Sequence, residues 1–278
     1  MVHLSRRAAL AGAGGAAAVS LAGCIDDFIG GGTPDFVQYV PAEAGESESL
    51  FLVHVNFDQA EEELPEEALG EFNRDTLLQG TPLSDAGIDG SDIAGAVVIG
   101  SGMMSIDYIT YGSFDTGAIE DAIGEQSSSE PEDYNGYSVY ESRLAISDEV
   151  LIVSQDYESY VDVIEGDADQ LGAGEGTWGN FLGQLGGGPL TIISKDSNSG
   201  TEGLQQYGIV VTGGDSEMID MKIVAAFESE ESANNATDGD ELSSDLKGDI
   251  GDDSMTVNSV SVDGVFVTVE AETPTADF

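Results

Sequence analysis

Few side chains in this 278-residue chain could hold a transition metal. Such a site needs imidazole, thiolate or a compact set of carboxylates. Beyond residue 24 the one histidine is His54, and the one cysteine in the whole chain is Cys24. No metal ligand is therefore assigned. His54 alternates with Val53 and Val55 and reads as a strand residue, half-buried or at the surface. Hard oxygens are plentiful in Asp238-Gly239-Asp240-Glu241 and in Asp249-Ile250-Gly251-Asp252-Asp253. Neither segment has the spacing of a calcium loop, and with 54 acids in the chain such clusters arise as solvated surface. Nucleophilic chemistry finds no Gly-x-Ser-x-Gly elbow, and a Ser-His-Asp triad would have to use His54 with no supporting sequence beside it. Ser244-Asp245-Leu246-Lys247 puts a serine and a lysine one helical turn apart. The Ser-Asp-Asn and Lys-Thr-Gly elements that accompany such a pair in acyl enzymes do not occur, and Lys247-Gly248 reads better as a helix C-terminus. The glycine runs at 30–32 and 186–188 lack the Lys-Ser/Thr of a phosphate loop. No catalytic residue and no cofactor follow from these patterns, and a working pair of carboxylates cannot be picked out of so many. Asn235-Ala236-Thr237 is a glycosylation sequon in an acidic, exposed-looking stretch.

Cys24 has a better use than metal binding. It ends a segment that begins Ser5-Arg6-Arg7 and continues as a 16-residue apolar run, Ala8–Gly23, rich in alanine and glycine. That run is short for a membrane span and suits the hydrophobic region of a signal peptide. Arg6-Arg7 resembles a twin-arginine export signal, and Leu21-Ala22-Gly23-Cys24 resembles a lipobox. Together they are similar to the leader of haloarchaeal twin-arginine-exported lipoproteins. The resemblance covers the first 24 residues and the acidic composition. It implies cleavage before Cys24, a lipid on its thiol, and anchoring to the outer face of the cell membrane. A simple transmembrane anchor with an incidental cysteine is the competing reading. Gly30-Gly31-Gly32 with Pro34 reads as a flexible tether. No later segment reaches 18 apolar residues, so no other span is expected.

The charge is extreme: 54 Asp and Glu against 7 Lys and Arg, net −47. Residues 1–23 hold two of the bases and none of the acids, so their removal would leave 255 residues at −49. At ordinary ionic strength that self-repulsion destabilises a compact state. At molar salt the Debye length falls to about 3 Å and neighbouring carboxylates barely interact. The composition thus fits a protein that folds in concentrated salt. It argues against nucleic acid as a partner, because phosphate recognition needs basic patches.

The elements that would position any site follow from periodicity. Strands are expected at 50–57, 93–99, 103–114, 137–140, 150–154 and 190–194, with hairpins over 207–227 and 256–270. Helical signals cover 59–78, broken at Pro65, then 115–123, 156–164, 177–185 and an acidic stretch at 228–246 with Gly239 as a candidate break. Residues 109–115 can be laid on 222–228: each ends a hairpin that enters an acidic helix, and each helix is followed by another hairpin. The expectation is an α+β protein of two similar halves, each an antiparallel sheet with helices on one face, a ferredoxin-like βαββαβ-type duplication. The matching divisions are a signal peptide at 1–23, lipidated cysteine and tether at 24–35, a first half at 36–189 and a second at 190–278. Function is read as a cell-surface lipoprotein that binds, scaffolds or contacts the envelope. An extracytoplasmic hydrolase with unidentified carboxylates, or the ligand-capturing component of an uptake system, are the alternatives.

Overall fold

The computed structural model describes residues 34–69, 74, 88–101, 105–124, 130–173, 176–196, 199–238, 241–250 and 254–277. Arg6, Arg7 and Cys24 lie outside the described residues, as do Gly239, Asp240 and residues 251–253 of the two acidic clusters. Residues 31–278 form one compact unit.

The described chain opens with two short 3-10 turns, Asp35–Tyr39 and Ala42–Glu46, here termed the strap. Strand β1 (Ser49–Asn56) leads into helix α1 (Phe57–Glu63), whose first turn is closed by the Asn56 side chain accepting from Gln59 N–H at 3.1 Å. Pro65 has no N–H to continue the helix. Accordingly α1 stops, and a short α2 (Glu66–Leu69) starts after it. Strands β2 (Ile93–Ser101) and β3 (Ser105–Gly112) precede α3 (Thr116–Gly124), where Asp115 accepts from Ala118 N–H at 3.1 Å. Four short strands follow: β4 (Glu132–Tyr134), β5 (Tyr137–Tyr140), β6 (Leu144–Ile146) and β7 (Val150–Val153). Helix α4 (Tyr157–Glu165) ends at Gly166, whose φ of 80° lets its N–H reach back to Asp162 and Val163 carbonyls. Helix α5 (Thr177–Leu185) stops at Gly186. Strands β8 (Leu190–Asp196), β9 (Leu204–Gly214) and β10 (Met218–Phe227) lead to α6 (Glu230–Asn235). A two-residue pair, β11 (Thr237–Asp238) with β12 (Glu241–Leu242), separates α6 from α7 (Ser244–Ile250). Strands β13 (Thr256–Asp263) and β14 (Phe266–Pro274) close the fold around Gly264 at φ 61°.

Twelve of these strands make one sheet in the order β13-β14-β10-β9-β8-β1-β2-β3-β7-β6-β5-β4. This overturns the expected pair of ferredoxin-like halves. A βαββαβ unit needs a parallel central pair, whereas every neighbouring pair here is antiparallel. The decisive contact is β1 against β8, in register from Ser49↔Asp196 to Val55↔Leu190. It joins the segments on either side of residue 189 by a continuous ladder.

Helices also cover both faces, not one. Leu50, Leu52, Val97, Ile109 and Ile193 point to a face packed by the strap, α4 and α5. The alternate residues Val53, Val55, Ala96 and Leu151 point to the other face, against α1, α2 and α3. Further along that second face, Ile223, Ala225 and Val267 pack against α6 and α7. Phe181, Leu182 and Leu185 of α5 are at most 1% exposed. Burying each is worth roughly 1.5–3 kcal/mol, enough to seat a nine-residue helix that would not persist alone.

Two local corrections follow the same logic. The acidic helical stretch over 228–246, with its candidate break at Gly239, is interrupted earlier, after Asn235, where Thr237–Asp238 pairs with Glu241–Leu242. Helix α7 runs past Lys247-Gly248 to Ile250, since Leu246 and Ile250 are both buried.

Candidate functional site

On the face covered by the strap and α4 lies a cleft of about 830 Å³. Its walls come from the strap, from β2 and β3, from the turn between β5 and β6, and from the β7–α4 junction. Arg143, Asp107, Asp156 and Glu43 bring charge to it, and Tyr160, Ser47 and Ser159 bring hydroxyls.

The strap wall is fixed from below. Lys195 Nζ and Trp178 Nε1 both donate to the Gly45 carbonyl, at 2.9 and 3.1 Å. A Cβ at Gly45 would stand 2.7 Å from both Leu171 Cδ1 and Trp178 Nε1, so this close approach requires glycine. Val40 C=O accepts from Leu171 N–H at 2.7 Å, and Ala42 N–H donates to Asp169 C=O at 3.0 Å. On the opposite wall Tyr160 donates to Asp107 Oδ2 at 2.9 Å. Burial, and then the Asp107 carboxylate, push the Tyr160 hydroxyl well above the ordinary tyrosine range, so it remains a neutral donor.

Arg143 is placed by backbone geometry. The turn from Tyr140 to Arg143 closes with Arg143 N–H donating to Tyr140 C=O at 3.1 Å. Its two central residues, Glu141 and Ser142, both sit at φ 52°. Left-handed backbone at a non-glycine residue costs about 1–2 kcal/mol, and such strain concentrates at functional positions. The neighbouring hairpin meets the same demand with Asn135-Gly136, the residues this turn type favours. Arg143 C=O then accepts from Ser154 N–H at 2.8 Å, tying the turn to the cleft wall.

The use of the other bases gives this placement meaning. Beyond residue 24 the chain has five: Arg74, Arg143, Lys195, Lys222 and Lys247. Arg74 pairs with Asp58 at 2.6 Å and Glu61 at 3.4 Å. Lys195 holds the strap, and Lys222 Nζ donates to Gln184 C=O at 2.6 Å. Among the described residues neither Arg143 nor Lys247, both exposed, makes an ion pair, and of these two it is Arg143 that lines the cleft with its three carboxylates.

Beside the cleft, under the strap, sits a stacked polar cluster. Phe36 stacks on His54 and Tyr39 on Tyr111, each with ring centroids 4.9 Å apart. His54 Nε2 and Tyr111 Oη are 2.9 Å apart. Tyr111 reaches the histidine by lying over Gly95, where any side chain would collide with its ring. Burial lowers the His54 pKa to about 3, so the ring is neutral, and burial raises the Tyr39 pKa to about 12. His54 faces Thr191 across β1 and β8, and among the described residues neither His54 Nδ1 nor Thr191 Oγ1 has a hydrogen-bond partner. His54 is thus a core residue, 7% exposed, rather than a half-buried or surface one.

Asn235 is exposed at the end of α6. Asp249 is committed elsewhere: its carboxylate accepts from Ser199 Oγ, Thr201 N–H and Thr201 Oγ1, with a longer bond from Gly200 N–H, and these bonds hold its pKa down against burial. Among the described residues no group of three or more His, Cys, Asp or Glu gathers to hold a metal, and no helix is long and apolar enough to cross a membrane. None of the residues singled out by sequence lines the cleft. Arg143 carried no motif, and the one available signal was its rarity as a base.

No known family model matches the chain, and no curated protein matches it. A solved structure titled as crystal form IV of TP0453 resembles it at a TM-score of 0.46 and 8% identity, covering 85% of this chain and 93% of that one. A likeness of that strength carries no argument about fold or function.

Proposed function

We propose that this chain is a lipid-anchored binding module of the outer cell surface, exported by its Arg6-Arg7 leader and tethered through Cys24. The observation that carries the binding reading is the cleft, lined by a guanidinium that makes no ion pair with a described carboxylate. Its forked donors and the three carboxylates beside it are thus open to a ligand. The folded part would stand off the bilayer on residues 25–33, and its acidic surface suits concentrated salt.

The reading is tested by thermal shift of the purified chain in molar salt against four probes: alanyl-alanine, citrate, putrescine and glucose. Gln155 is exposed and lines the cleft, so Gln155→Trp narrows it without removing a charged group. At least one probe raises the melting temperature of the wild type and loses that effect in Gln155→Trp. If no probe distinguishes the two proteins, the cleft is not a binding site.

A further inference from the structure

Resting on that reading, we infer that the ligand of the cleft is a small zwitterion, an amino acid or short peptide, with its carboxylate on Arg143 and its ammonium group among Asp107, Asp156 and Glu43. Two observations lead there. First, opposite charges line one cavity without meeting. Arg143 and the three carboxylates all face the same 830 Å³ space, yet no ion pair joins them. The Arg143 backbone is placed by a tight turn with two left-handed residues and by bonds to Tyr140 and Ser154, and its exposed side chain lines the cleft. Asp107 is held by the Tyr160 hydroxyl at 2.9 Å, and Asp156 by Ser159 Oγ at 2.9 Å. The cleft thus presents both signs, two of its carboxylates oriented by hydroxyl bonds, and a ligand bearing both charges would bridge them.

Second, the charges inside the cleft sort the alternatives at contact range, which molar salt does not screen away. A pure anion would use Arg143 and leave three carboxylates beside its own charge. A pure cation would use the carboxylates and leave Arg143 unused. A zwitterion uses both. Arg143 supplies the forked donor geometry that suits a carboxylate. Asp107 and Asp156 each keep acceptor capacity beyond the hydroxyl bond they accept, which an ammonium group can use. Ala44 and Val153, also in the lining, offer apolar surface to a side chain or methyl group between the two ends.

The test uses alanyl-alanine, its N-acetylated form and its C-amidated form, titrated by calorimetry into the full chain at molar salt. The free dipeptide binds at least tenfold more tightly than either capped form, the difference of about one charge-assisted hydrogen bond at a partly exposed site. In Arg143→Gln the cost of amidation disappears while the cost of acetylation remains. In Asp107→Asn/Asp156→Asn the reverse holds. Arg143 is anchored through its backbone, so Arg143→Gln should keep its near-ultraviolet circular dichroism, which confirms that the comparison concerns binding. Equal affinity for free and amidated peptide overturns the inference, as does an undiminished preference for the free carboxylate in Arg143→Gln. If the dipeptide does not bind while another probe loses its effect in Gln155→Trp, the zwitterion assignment falls and the cleft remains a site. If no probe responds to Gln155→Trp, both fall together.

Discussion

Acid should weaken this fold through His54 before its carboxylates dominate. In an unfolded chain the imidazole takes a proton near pH 6.5. In the folded chain burial lowers that value to about 3. The ring is stacked on Phe36, bonded to Tyr111 and opposite Thr191, and none of these can compensate a positive charge. Above pH 6.5 neither state binds the proton and His54 contributes no pH dependence. Below it the unfolded state gains a proton that the folded state refuses, so stability falls by about 1.36 kcal/mol per pH unit until the folded value is approached. Between pH 7 and pH 5 the loss is therefore about 2 kcal/mol. Carboxylates add their own dependence, and His54→Gln isolates the imidazole because they are common to both proteins. The variant is less stable at pH 7, having lost the stack. The gap between the two proteins then narrows by about 2 kcal/mol at pH 5. Urea unfolding followed by Trp178 fluorescence, at constant molar salt, measures it. A gap independent of pH would show that His54 takes up its proton as readily in the folded state as in the unfolded one, and the buried stack beneath the strap would be refuted.

Relief of the turn that carries Arg143 should stabilise the protein. Replacing Glu141-Ser142 by Asn-Gly, as at 135–136, raises stability by about 1–2 kcal/mol in urea unfolding, and no gain would mean the left-handed pair is unstrained. Gly45→Ala should loosen the strap, because the added Cβ meets Leu171 and Trp178 at 2.7 Å. A cost of about 1–3 kcal/mol and faster amide exchange over residues 35–47 are expected, and unchanged exchange would contradict the packing. Raising sodium chloride from 0.1 to 1 M shortens the Debye length from about 10 to about 3 Å. The melting temperature should rise well beyond the effect of sucrose at equal water activity, and equal responses would remove the electrostatic account of the acidic composition.

Local elements were legible in the sequence where one physical cue dominated. Pro65 broke a helix, Asp115 capped one, and Asp263-Gly264 turned a hairpin. The arrangement of those elements was not legible. Hairpin-helix-hairpin order repeats in the chain, but nothing within Leu50–Phe57 or Leu190–Ser194 says that these segments pair with each other. That ladder rests on complementary burial on two faces, which alternation alone cannot assign to a partner. β4 and β6 have three residues each, too short for a periodic signal. The two turns of the strap lack helical periodicity, so the sequence proposes no element there; Phe36, Val37 and Val40 are nevertheless at most 2% exposed. The cleft was invisible for the same reason as the sheet. Asp107, Arg143 and Tyr160 come to line one cleft only through tertiary packing, and one arginine among few bases forms no motif.

The most direct test of the anchored-module account is the intact mass and membrane partitioning of wild type and Cys24→Ala expressed in a halophilic host. The account predicts that wild type lacks residues 1–23, carries the mass of a lipid and sediments with membranes, while the variant carries no lipid and is released. Two full-length, unmodified proteins recovered in the cytoplasm would contradict it.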